Sequence, residues 1–89
     1  MDPKSRAVEA ARRVQRVPGL EAEGIRIQTV LNELPLLDAL GIAVDGILAD
    51  ALMERGFNKP DYSLNKLGGE IEDTIDALNR IRIEVKSAG

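Results

Sequence analysis

Along the last third of the chain apolar residues return every seven positions: Leu64, Ile71, Leu78 and Val85 share one heptad position, and Leu67, Thr74 and Ile81 share the other. The residues between them are mostly charged or polar, so residues 63–86 are predicted to form a helix with one apolar seam. Acidic residues open this segment (Glu70, Glu72, Asp73) and basic residues close it (Arg80, Arg82, Lys86), the order that the helix dipole favours. Against a helix throughout, Ile81, Ile83 and Val85 alternate with Arg82, Glu84 and Lys86, and a terminal strand over 80–86 is the other reading.

An earlier stripe has the same helical spacing. Leu37, Leu40, Val44, Ile47, Leu48, Ala51 and Leu52 line up, with Asp38, Asp45, Asp50 and Glu54 on the wet sides, which predicts a helix over 36–55. Gly56 follows where a left-handed C-cap residue belongs, with Phe57 placed to cover Leu52 in a Schellman closure. Inside this stripe Gly41 and Gly46 each cost up to about 1 kcal/mol relative to alanine. Either they admit a neighbouring backbone, or Gly41 marks a turn between two shorter helices.

The remaining segments are less strongly patterned. Asp2-Pro3 supplies a capping carboxylate and a proline at the first helical position, and a helix over 1–17 carries a thin apolar stripe of Ala7, Ala10 or Ala11, Val14 and Val17, ended by Pro18-Gly19. So little apolar area predicts the weakest docking in the chain. Residues 20–34 read as a helix through Leu20, Ile27, Val30, Leu31 and Leu34, although Ile25 and Ile27 also alternate with polar neighbours as a strand would. Pro35 must end this segment, because its ring removes an N–H and disfavours helical geometry at Leu34. Asn58-Lys59-Pro60-Asp61 is a turn, Asp61 or Ser63 is the expected cap of the last helix, and Gly68-Gly69 is a soft point near its start.

Size makes the apolar seams significant. A chain of 89 residues is one domain whose single core supplies roughly 3–5 kcal/mol of net stability. Without cysteine or histidine it has neither a disulfide nor a Cys/His zinc site to reinforce that core, which leaves oligomerisation as the common remaining device. Apolar residues at 44% and mixed charges at 30% argue for a folded, soluble chain. Phe57 and Tyr62 are its only aromatics, so the core is aliphatic, and base-stacking platforms or aromatic ligand cages are not expected. No apolar run approaches the roughly 18 residues of a membrane span and the N-terminus has no signal-peptide core, so the expected location is the cytoplasm, away from the membrane.

The same composition argues against chemistry. With no histidine the usual general base is missing, and none of Ser5, Thr29, Ser63 or Ser87 sits in a Gly-x-Ser-x-Gly elbow. Glu72, Asp73 and Asp76 cluster on one helix, where a solvated face is expected: a di-metal bundle would need Glu-x-x-His pairs, and no twelve-residue ladder of calcium ligands is present. Gly68-Gly69 lacks the Lys-Ser or Lys-Thr of a phosphate loop. No catalytic, cofactor-binding or metal-binding residue is therefore expected.

Charge is unevenly spread over a net −3: residues 1–19 hold five basic residues against two acidic ones, and the rest of the chain is acidic. The basic arm either lies against the acidic body or grips an anionic partner, in which case Arg12, Arg13 and Arg16 are the candidate phosphate contacts. Residues 24–52 bear on this choice. The alternating Gly24-Ile25-Arg26-Ile27-Gln28-Thr29-Val30, Pro35, and Leu40-Gly41-Ile42-Ala43 leading into Ile47-Leu48-Ala49-Asp50-Ala51-Leu52 are similar to ribbon-helix-helix repressors. That resemblance implies a strand-paired dimer binding nucleic acid, although the stretch from Pro35 to Gly41 is short for the family's first helix and the second helix is acidic.

The pattern as a whole predicts an all-α protein, a three- or four-helix bundle completed by homo-oligomerisation through the C-terminal heptad helix. The expected interaction face is Leu64, Leu67, Ile71, Leu78, Ile81 and Val85, with Leu37, Val44, Ile47 and Leu52 as its complement. Such a chain is expected to be a non-catalytic protein–protein interaction module, a subunit, adaptor or assembly factor whose partner is a second copy or another protein. The alternative is the ribbon-helix-helix-like regulator.

Overall fold

Each of the four segments predicted to be helical carries a helix in the computed structural model, which describes residues 1–58, 61 and 63–88; the last begins at Lys66 rather than at 63. The elements are α1 (Pro3–Gln15), α2 (Glu21–Glu33), a continuous helix over 36–55 here called α3, and α4 (Lys66–Ala88). Among the described residues there is no strand. Residues 24–30 lie inside α2 and 80–86 inside α4, so the ribbon implied by the repressor resemblance does not form and the terminal-strand alternative falls away.

α1 starts as its sequence signals. The Asp2 carboxylate accepts the Ser5 backbone N–H at 2.8 Å, a bond that also holds the Asp2 carboxyl below the usual carboxylate range, and Pro3 opens the helix. Its thin stripe is more fully used than its area suggested: Ala7, Ala10, Ala11 and Val14 are all buried, and α1 packs on both α2 and α4. Small side chains let the axes approach, and Gly24 of α2 completes the fit by lying directly on the backbone of Gln15. Beside it the Gln28 amide donates to Gln15 Oε1 at 2.5 Å. Between the two helices Gly19 adopts φ +95°, a left-handed turn suited to glycine. Arg55, at the far end of α3, braces this turn by donating to the Gly19 carbonyl at 2.6 Å and pairing with Glu23 at 2.6 Å.

α2 ends at Leu34, whose extended backbone (φ −119°, ψ 159°) is what a following proline demands. α3 then runs as α-helix over Leu36–Gly41, as π-helix over Ile42–Leu48, and as α-helix again over Ala49–Arg55. The π turns follow from the sequence. The buried residues are Ala39, Leu40, Ala43, Val44, Ile47, Leu48 and Ala51, pairs recurring every four positions. A helix of 3.6 residues per turn would rotate such a set steadily off the core, whereas i→i+5 bonding widens the turn and keeps it facing inward. Neither reading of the two glycines holds: the helix does not break at Gly41, and a side chain at Gly46 would meet nothing within 4 Å.

The passage from α3 to α4 corrects two further expectations. Gly56 is right-handed (φ −83°), so the Schellman closure is not made; Phe57 instead bridges to Leu64, with the Asn58 N–H donating to the Ser63 carbonyl at 2.8 Å. The cap of α4 is Asn65, not Asp61 or Ser63. Its Oδ1 accepts the Gly68 N–H at 2.7 Å while its Nδ2 donates to the Arg55 carbonyl at 2.8 Å, joining the end of one helix to the start of the next. Gly68 is not a hinge but a close contact, packed on the Gly56 carbonyl within the regular helix. The turn predicted at 58–61 includes Lys59 and Pro60, which lie outside the described residues.

Candidate interaction surfaces

The α4 seam is largely covered by the chain itself. Ile71, Thr74, Leu78 and Ile81 are buried against α1 and α3, and Val44 and Ile47, two of the four residues expected to complement the seam, are buried with them. Leu67 and Val85 are half-buried. Leu64 precedes the helix and is 42% exposed. The middle of the predicted interaction face is therefore core, and only its ends reach solvent.

The basic arm lies along α4 in antiparallel sense. Arg6 pairs with Glu84 at 2.7 Å near the C-terminal end of α4, and Arg12 pairs with Glu9 of its own helix at 3.2 Å. Both are solvent-screened pairs of small energetic weight. Among the described residues Arg13 and Arg16 form no ion pair. Arg13 shares a shallow cleft of about 440 Å³ with Arg6, Arg80 and the acidic Glu9, with Ala10, Ala77 and Ile81 also lining it, and Arg16 shares another with Lys66 and the acidic Glu70. The three candidate phosphate contacts thus divide: Arg12 has an internal partner, while Arg13 and Arg16 are exposed and, among the described residues, unpaired, each in a cleft that holds at least one further cation and one acid.

A third surface was not anticipated. Leu34, Leu37 and Ile42 are 38%, 38% and 43% exposed, and with Asp38, Gly41 and Arg82 they line an open groove of about 570 Å³. Arg82 is held there by Asp45 at 3.2 Å. The helical spacing of the sequence puts Leu37 in the inner stripe. At 3.6 residues per turn it falls beside Leu40 and Val44, but the four-residue repeat of α3 moves it to the outer face with Ile42, Gly46, Ala49 and Met53. The repeat in positions 39–51 was the signal that would have found this face.

Among the described residues no helix is long and apolar enough to cross a membrane. In comparisons with known proteins, no family model, curated protein or solved structure matches the chain.

Proposed function

We propose that the chain is a cytoplasmic, non-catalytic interaction module, a subunit, adaptor or assembly factor, whose helices form a bundle and whose uncovered apolar face docks a protein. The observation that carries this reading is the exposed group Leu34, Leu37 and Ile42 around one groove, joined along α3 by Met53 at 76% exposure. Single exposed aliphatic residues are ordinary; three around one groove beside a fixed guanidinium are the composition of an interface core with a polar rim. Self-association through α4 is limited in this reading to Leu64, Leu67 and Val85, too little for a stable interface by itself.

A photo-cross-linking side chain in place of Leu37 or Met53 tests the proposal in extract of the source cells. A discrete adduct is expected at both positions, absent when the cross-linker replaces Ile25 or Ile83, which are also exposed but lie elsewhere, and lost with Ile42→Glu. A folded protein giving no adduct at 37 or 53, or the same adducts at all four positions, overturns it.

A second reading rests on Arg13 beside Arg80 and Arg16 beside Lys66: the α1–α4 edge contacts phosphates of a nucleic acid without any ribbon. It predicts retention on heparin at low salt that falls steeply as salt rises, and earlier elution of an Arg13→Gln, Arg16→Gln double variant. Elution of the variant together with the parent protein rejects it.

A further inference from the structure

We propose that the outer face of α3 seats a cationic amphipathic helix of another protein, which enters the groove at Leu37 and Ile42 and lies along the face toward Met53. This rests on the interaction-module reading and identifies the chemistry of the partner. Three features of the face select it.

The first is apolar anchoring: Leu34, Leu37 and Ile42 are exposed around the groove, and Met53 is exposed further along the same helix. Spaced apolar residues of this kind receive the anchor residues of a docked helix. The second is charge. Asp38, Asp50 and Glu54 border the same face, all exposed, and among the described residues none forms an ion pair. The one base in the groove, Arg82, is already paired with Asp45. A face with three unpaired carboxylates beside its apolar line is complementary to a helix that carries lysine or arginine next to its own apolar stripe. The third is shape. Gly41, Gly46 and Ala49 interrupt the outer face, and the space over Gly46 is empty, so a second helix axis can come close there. Intramolecular packing does not require either glycine: Gly46 touches nothing, and Gly41 meets only the Arg82 side chain at 3.8 Å.

A second copy is a poorer occupant. In a two-fold contact centred on this face each copy would present Asp38, Asp50 and Glu54 to the same acids of its partner, and each chain carries net charge −3. Like charges brought together in this way disfavour association.

The probe is a fluorescently labelled amphipathic peptide of about 16 residues, long enough at about 1.5 Å per residue to span the face, built of leucine, alanine and lysine, with a glutamate-for-lysine peptide as control. Anisotropy titrations use the whole chain, the G46L variant and an Asp38→Lys, Asp50→Lys variant. G46L puts a bulky side chain on the face where a Cβ meets nothing within 4 Å, so its thermal unfolding midpoint should equal or exceed the parent's. Saturable binding of the lysine peptide, weakened about tenfold or more in both variants and absent for the glutamate peptide, is expected. Equal affinity for the parent and G46L overturns the proposal, since it would mean diffuse charge attraction. So does a concentration-dependent dimer of the parent, seen by sedimentation and abolished by G46L, which would make a second copy the occupant. If the peptide fails while the cross-linked adducts at 37 and 53 persist, the cationic helix is wrong and the interaction module stands.

Discussion

Gly24→Ala is expected to remove much of the chain's folding stability at 25 °C. A methyl group at this position would stand 2.5 Å from the Gln15 Cα and 2.6 Å from its Cβ, inside the crossing of α1 and α2. The obstruction is backbone and cannot turn aside, so the helices must separate, and Ala7, Ala11 and Ile27, all wholly buried, would lose packing together. Overpacking of this kind costs about 1–3 kcal/mol, and more where backbone must move, against a net stability of roughly 3–5 kcal/mol for a core of this size. Urea denaturation followed by circular dichroism measures it. Gly41→Ala is the matched control, because its nearest neighbour is the end of the Arg82 side chain; it should be neutral or gain up to about 1 kcal/mol. Similar midpoints for the two variants would show that the α1–α2 contact is not as close as described.

Leu78→Ala has the second large effect, and it decides what the heptad seam is for. Leu78 is fully buried, and truncation of such a leucine costs about 2–5 kcal/mol. Because the covering residues belong to the same chain, the unfolding midpoint of the parent and the loss in the variant should not change with protein concentration. Ile83→Ala, on the same helix at 64% exposure, should change stability by no more than about 0.5 kcal/mol. A parent midpoint that rises with concentration, together with a large effect at Ile83, would mean that α4 is completed by another molecule.

Helix positions were legible where a local signal acts alone. Asp2-Pro3 opens α1, Pro35 separates α2 from α3, and the predicted span 36–55 is the observed one. At 20–34 the alternation of Ile25 and Ile27 suggested a strand, but only Ile27 faces the core and Ile25 is 51% exposed, so the helical period prevails. What could not be read depends on partners distant in sequence. Asn65 prevails over Asp61 and Ser63 as the cap because it alone also reaches the Arg55 carbonyl, a contact set by how α3 and α4 meet. Gly24 and Gly68 look like helix weaknesses until the backbones they touch, Gln15 and Gly56, are known. The groove is a different case: its pattern is present in the sequence, but the inward residues of α3 repeat every four positions, and a period of 3.6 puts Leu37 on the wrong face.

The π turns of α3 also bear on how this chain tolerates changes in length. With one residue removed between Val44 and Ile47, the inward set would be spaced four, three and four, which an ordinary α-helix accommodates on a narrower arc. Gly46, with no neighbour to lose, is the residue whose deletion disturbs least. Most core helices are scrambled by a single-codon deletion; this one has a place where the deletion would regularise the backbone and leave the interior intact.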